Sequence, residues 1–141
     1  MSIVLGYDES PGSRQALAMA VSLAARFDEP LVLVYGAEPP GGMGEEFRAH
    51  QRALAEIGRV AVQHAVAEAD AAGVSTVVEV LDAKPAHALV DAADRHDARV
   101  IVVGTSGESP LRGAILGSVP HKLLQVSDRP VLCVPAGKAS D

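Results

Sequence analysis

A chain of 141 residues falls in the usual range for one domain, and its one cysteine, Cys133, leaves neither an intramolecular disulfide nor a multi-cysteine zinc site. Twelve Lys plus Arg against 18 Asp plus Glu give a net charge of -6, an acidic surface that repels phosphate backbones and disfavours general nucleic-acid binding. Aromatic residues, only 3% of the chain, are too few for a base-stacking platform, and no apolar stretch nears the roughly 18 residues of a membrane span, so the expectation is a soluble cytoplasmic domain over residues 1–141 with no nucleic-acid or membrane partner.

Ile3–Tyr7 opens the chain as a strand-length apolar run, and Leu31–Tyr35, Thr76–Leu81, Val100–Val103 and Val131–Val134 repeat the pattern. Between the first two, Leu17, Ala20, Val21 and Ala24 recur at intervals of three and four, which predicts a helix capped by Ser10 and opened by Pro11. The stretch Glu38-Pro39-Pro40-Gly41-Gly42-Met43-Gly44 then reads as a loop, either a plain crossover or a lid over a ligand. A second helix is predicted from about Glu45 to Ala72, before Gly73, with Leu54, Ile57, Ala61 and Ala65 on one face. The third opens at Pro85 and carries Leu89, Val90 and Ala93; the fourth runs from about Ser118 through Leu123 and Val126 to Ser127.

This alternation predicts an α/β fold, an open five-stranded parallel sheet with helices on both faces, because parallel neighbours need crossover connections that cover both sides. Strands one, two, four and five are nearly all apolar, as buried strands are, whereas Glu79 inside the third marks an edge. The fifth strand is expected at the other margin, an apolar edge of a kind that proteins seldom leave open. Cys133 is expected as a buried, inert thiol. The histidines, His50, His64, His87, His96 and His121, lack metal-ligand spacing and read as surface or boundary residues.

In open parallel sheets ligands bind beyond the carboxyl ends of the strands, where the crossovers change direction, which points to the loops after strands one and four. Strand four runs into Gly104-Thr105-Ser106-Gly107, and nine residues later Gly117-Ser118 starts the fourth helix. Glycines let a backbone approach a phosphate closely, and free N–H groups at a helix start hold an anion. Ser118 either adds a hydroxyl donor or simply caps the helix, and Val119-Pro120 suits a first turn. No P-loop lysine signature is present, and no G-x-G-x-x-G follows the first strand.

The run Val103-Gly104-Thr105-Ser106-Gly107 through Leu116-Gly117-Ser118-Val119 resembles the ATP-binding loop of the universal stress protein family. Ile3-Val4-Leu5-Gly6-Tyr7-Asp8-Glu9-Ser10 is similar to that family's first strand and acidic turn, and Arg129-Pro130-Val131-Leu132-Cys133-Val134-Pro135 to its last strand. The resemblance implies a Rossmann-like sheet of order 3-2-1-4-5, of the adenine nucleotide alpha hydrolase kind. It also implies ATP or another adenine nucleotide as ligand, with or without Mg2+. By position, Asp8 would bond the nucleoside, Gly6 and Gly36 would lie near the base, and Val103 would form an apolar wall. Gly104, Gly107, Gly117, Ser118 and Val119 would hold the ribose and phosphates. A homodimer through strand five, Val131 to Val134, is implied as well. The sequence departs from the family pattern at Ser106, Glu108 and Gly36: a carboxylate beside a triphosphate is unfavourable unless a metal lies between them. Arg112, inside the spacer, either supplies some of the missing positive charge or is a plain surface arginine.

Two other readings use the same alternation. A nucleotide-hydrolysing or nucleotidyl-transferring enzyme needs an acid–base pair that these residues do not offer. No catalytic or metal-binding residue is assigned, and turnover of ATP is expected to be slow or absent. A phosphorelay receiver would use Asp8-Glu9, Asp82 and Thr105, but Val134-Pro135-Ala136 stands where its lysine is required.

Overall fold

The computed structural model describes residues 1–7, 11–36, 60, 62–81, 84–105 and 118–136. The elements, in chain order, are β1 (Ser2–Gly6), α1 (Pro11–Phe27), β2 (Leu31–Gly36), α2 (helical residues 62–71), β3 (Thr76–Leu81), α3 (Pro85–Arg95), β4 (Ala98–Gly104), α4 (Ser118–Val126) and β5 (Val131–Val134). The strands form one parallel sheet in the order β3-β2-β1-β4-β5. That is the predicted architecture. The Ser10 cap, the Pro39–Gly44 loop and the predicted start of the second helix at Glu45 lie outside the described residues.

Side chains alternate between two layers. Ile3, Leu5, Leu31, Leu33 and Val102 meet the small residues of α1 and α2, among them Ala16, Ala20, Ala24, Ala65 and Ala69. Val4, Val32, Val34, Ile101 and Val103 meet α3 and α4 through Ala88, Leu89, Ala92 and Leu123. The abundant alanine lets helix backbones lie close to a sheet surfaced by Val, Leu and Ile, so packing rather than aromatic bulk fills the core. Helices α1 and α2 end alike. Residues Asp28 (φ 54) and Gly73 (φ 76) adopt left-handed backbone, while Glu29 N–H donates to Ala24 O at 3.0 Å and Val74 N–H to Ala69 O at 2.9 Å.

β4 begins two residues earlier than the apolar run alone indicates, because Arg99 is accommodated in it. Ser2 pairs with Ala98 but Ile3 with Val100, so Arg99 is an extra residue in the strand. The bulge re-aims its side chain. The guanidinium lies 4.3 Å from the centre of the Phe27 ring and donates to Glu29, Nη2 to Oε1 at 2.6 Å and Nε to Oε1 and Oε2 at 3.1 and 3.2 Å. A second carboxylate, Glu79 on β3, receives Arg95 Nη2 at 2.6 Å and lies 3.1 Å from His96 Nε2. Both contacts come from the C-terminal end of α3.

These pairs give acid sensitivity a defined sign. The hydrogen bonds from Arg99 hold the Glu29 carboxyl below its ordinary value of 4.5 against the opposing effect of burial. At Glu79 partial burial pushes upward, and the hydrogen bonds from Arg95 and His96 outweigh it, so the net direction is again down. A carboxyl whose pKa is lower folded than unfolded adds stability that is complete above the unfolded value and lost as pH falls through the folded one. The urea midpoint is therefore expected to be level near neutrality and to decline below about pH 4.5. Glu29→Gln should lower the midpoint at pH 7 and flatten the acid decline. An unchanged acid limb in that variant would remove Glu29 from the account.

The two margins of the sheet differ. On β3, Val77 and Val78 are exposed on opposite faces, and Glu79 sits between them and Val80 on the α3 side, opposite Val34. On β5 no residue is charged, and Val131, Leu132 and Cys133 are all half-buried. The fifth strand lies at the margin where it is expected, with a neighbour on one side only, and its apolar composition gives half-burial at three of its four residues rather than full burial. Cys133 is correspondingly half-buried rather than buried, and the burial it does have pushes its thiol pKa up, away from a reactive thiolate.

Candidate functional site

Two strand exits define the crevice at which the crossover direction changes. β1 ends at Gly6 and is followed by Tyr7, whose N–H donates to Val34 O at 3.1 Å. β4 ends at Gly104 and is followed by Thr105, whose N–H donates to Val134 O at 3.0 Å. Each exit is therefore tied to the strand on its outer side, and the two neighbours β1 and β4 are free to diverge above their last pairs.

Both exits end in glycine for a steric reason that the backbone makes explicit. A Cβ placed on Gly6 would lie 3.0 and 3.2 Å from the Leu89 δ-carbons and 3.3 Å from Val103 Cγ1, so α3 closes over this residue. A Cβ on Gly104 would lie 2.7 Å from the Gly12 carbonyl carbon, 2.8 Å from its oxygen and 3.1 Å from its Cα, so the first turn of α1 closes over that one. The two glycines face opposite layers. Leu89 and Val103, both almost fully buried, form the floor between the exits.

Of the residues singled out in the sequence, the structure brings Gly6, Val103 and Gly104 to this crevice. Gly36 ends β2, the next strand over, and pairs with Leu81. Ser118 and Val119 form the first turn of α4, with Val119 half-buried against the α3–α4 layer. Asp8, Gly107 and Gly117 lie outside the described residues, as do Ser106, Glu108 and Arg112. Gly12 and Leu89 were not singled out. A signal for Gly12 exists: glycine in a helix costs about 1 kcal/mol relative to alanine, so one placed directly after Pro11 marks a close backbone approach. Leu89 carries no such signal, since it reads as one more apolar residue of an amphipathic helix.

Among the described residues, the chemistry on offer at the crevice is mainly backbone. Among the described residues, no cluster of three His, Cys, Asp or Glu side chains is arranged to hold a metal ion. His64, His87 and His121 are exposed, and His96 is engaged with Glu79 on the edge strand β3. Likewise, none of the described helices is long and apolar enough to cross a membrane. What the crevice provides is closely approachable peptide at two strand ends.

Comparison with known proteins agrees with this fold. The model of the universal stress protein family matches residues 1–135. A solved protein of that family from Burkholderia pseudomallei is 28% identical, with a TM-score of 0.79 over 95% of each chain. A universal stress protein solved in complex with cAMP is also 28% identical, with a TM-score of 0.73 over 97% of this chain and 98% of that one. The Archaeoglobus fulgidus universal stress protein solved in complex with dAMP shares the fold at 22% identity, with a TM-score of 0.69 over 95% of this chain and 97% of that one. Among curated proteins, none matches the chain.

Proposed function

Since the chain belongs to the universal stress protein family, we propose that it is an adenine-nucleotide-binding regulatory protein whose ligand sits at the β1–β4 crevice. The observation that carries the proposal is that a 28%-identical protein, similar over nearly the whole chain, was solved with cAMP. The glycine-terminated exits of β1 and β4 support the same placement. In this reading Asp8 bonds the nucleoside, Gly6 and Gly36 border the base, and Val103 supplies apolar floor. The peptide groups of Gly104, Gly107, Gly117, Ser118 and Val119 receive the ribose and phosphates, with ATP as the ligand and Mg2+ as its companion ion where the triphosphate approaches Glu108.

The test begins with nucleotide content. Protein purified without added ligand is denatured, the released small molecules are separated by chromatography, and ATP and cAMP are then titrated into nucleotide-free protein. Adenine nucleotide carried by the parent and missing from Gly117→Val is the expected result. Absence of carried nucleotide together with no binding of either ligand would overturn the proposal. Incubation with ATP and Mg2+ is expected to yield product slowly or not at all, whereas rapid turnover would favour the enzyme reading.

The assembly proposed with this function is a homodimer through β5. Three half-buried apolar residues on an uncharged margin, Val131, Leu132 and Cys133, form an edge that antiparallel pairing with a second copy would cover. Leu132→Pro removes an N–H that faces β4 and so unseats the edge strand itself, and light scattering is expected to find monomer or insoluble protein. A soluble dimer of unchanged mass would place the interface elsewhere.

A further inference from the structure

We infer that the first turn of α1 is mechanically coupled to the exit of β4 through the Gly12–Gly104 backbone contact, which makes Gly12 a positioning residue for the nucleotide site. The inference rests on the proposed site in one respect only, that the ligand acts at the β4 exit. Gly104 lies so close to Gly12 that even a methyl group would stand 2.7 and 2.8 Å from the Gly12 carbonyl atoms, and both partners are backbone, which cannot rotate away as a side chain can.

The contact is held on every side that the structure describes. Gly12 and Ser13 are buried, and α1 lies along β1, β4 and β5. Its buried face, Ala16, Leu17, Ala20, Val21 and Ala24, is packed on the sheet along the helix length. On the other flank Thr105 N–H is fixed to Val134 O at 3.0 Å. The β4 exit is therefore gripped between α1 and β5. A ligand that draws the peptide of residues 104 and 105 toward itself or away from α1 changes a face on which the Gly12 carbonyl rests.

That carbonyl has a second task, and it provides a gauge. In an α-helix the carbonyl of residue i accepts the N–H of residue i+4, so the Gly12 oxygen is the acceptor for the Ala16 amide. Displacing Gly12 loosens that bond before it disturbs anything deeper in the helix. Exchange of the Ala16 amide with solvent deuterium reports on the contact. The Leu89 and Ala92 amides of α3, in the opposite layer, serve as the internal reference.

Three measurements by NMR decide the matter. In nucleotide-free protein, Gly104→Ala is expected to raise exchange at Ala16 at least tenfold relative to the α3 reference; equal changes in both helices, or none, would overturn the coupling. In the parent, saturation with ATP is expected to slow Thr105 and Ala16 together, and slowing at Thr105 with Ala16 unmoved would also overturn it. If Gly104→Ala does not fold, exchange in the parent over a series of low urea concentrations takes its place: Thr105 and Ala16 should share one opening reaction with the same urea dependence, and separate openings would refute the inference. Failure of the parent to bind ATP or cAMP in titration would be the failure of the nucleotide reading, and the variant and urea arms would still judge the coupling.

Discussion

Gly104→Val is expected to yield a protein destabilised by about 3 kcal/mol or more, equivalent to a fall in Tm of roughly 10 °C. The reason is that the first carbon of the new side chain meets main chain, at 2.7 Å from the Gly12 carbonyl carbon and 2.8 Å from its oxygen. Most added methyl groups are absorbed by rotation of a neighbouring side chain, but here the first turn of α1 must move as a body or β4 must bend. Gly73→Ala is the matching control. Gly73 has positive φ (+76) but nothing within 4 Å of the added carbon, so its cost is backbone strain alone, about 1 kcal/mol. Urea unfolding of the two variants beside the parent separates the effects, and a Gly104→Val protein no less stable than Gly73→Ala would refute the close approach.

The second large effect lies in the opposite layer. Leu89→Ala is expected to cost about 2–4 kcal/mol, since a buried leucine that fills the space over β1 leaves a cavity behind. Gly6→Ala should cost about 1–2 kcal/mol by itself, with its methyl 3.0 and 3.2 Å from the two Leu89 δ-carbons. Combined, the changes should cost less than their sum by about 1 kcal/mol, because truncating Leu89 removes the atoms that the Gly6 methyl would strike. Strict additivity in urea unfolding would mean that Leu89 is not what holds position 6 to glycine.

Much of the fold is legible in the residues, for reasons that differ by element. β1 and β2 announce themselves because buried strands of a parallel sheet need apolar side chains on both faces, and Glu79 marks β3 as an edge because a central strand has no room for it. β4 extends past its apolar core because Arg99, which reads as a loop residue, is satisfied by Glu29 and Phe27 from a different part of the chain. Such satisfaction is invisible without the fold. β5 lies at the margin where it is expected, but its composition resembles that of an interior strand and does not reveal that three of its four residues are only half-buried.

The site is legible to a lesser depth. Glycine at the ends of β1 and β4 is visible in the sequence, and chain alternation alone directs attention to those two exits. The sequence suggests that both glycines border a ligand, whereas the structure shows that each is also closely packed within the protein itself, Gly6 against the Leu89 side chain and Gly104 against the Gly12 backbone. A contact between residues far apart in the chain, with no side chain at either end, leaves no pattern for periodicity or composition to detect. The same fact bears on how variants are to be interpreted: loss of nucleotide in a Gly104 substitution reports on folding as well as on binding, and Gly117→Val is the better probe of the ligand.

The difference between the two margins of the sheet sets a limit on growth. A sheet with two bare edges can add copies at both ends and propagate into a filament, each addition exposing a fresh template. Here one end carries Glu79, fixed to Arg95 and close to His96, within the strand that a newcomer would have to match. An incoming strand laid there meets a charge already committed to α3 and gains little by displacing it. In the proposed dimer edge-to-edge association would therefore be self-terminating, since a copy that docks by its uncharged margin would offer only the charged one to the next.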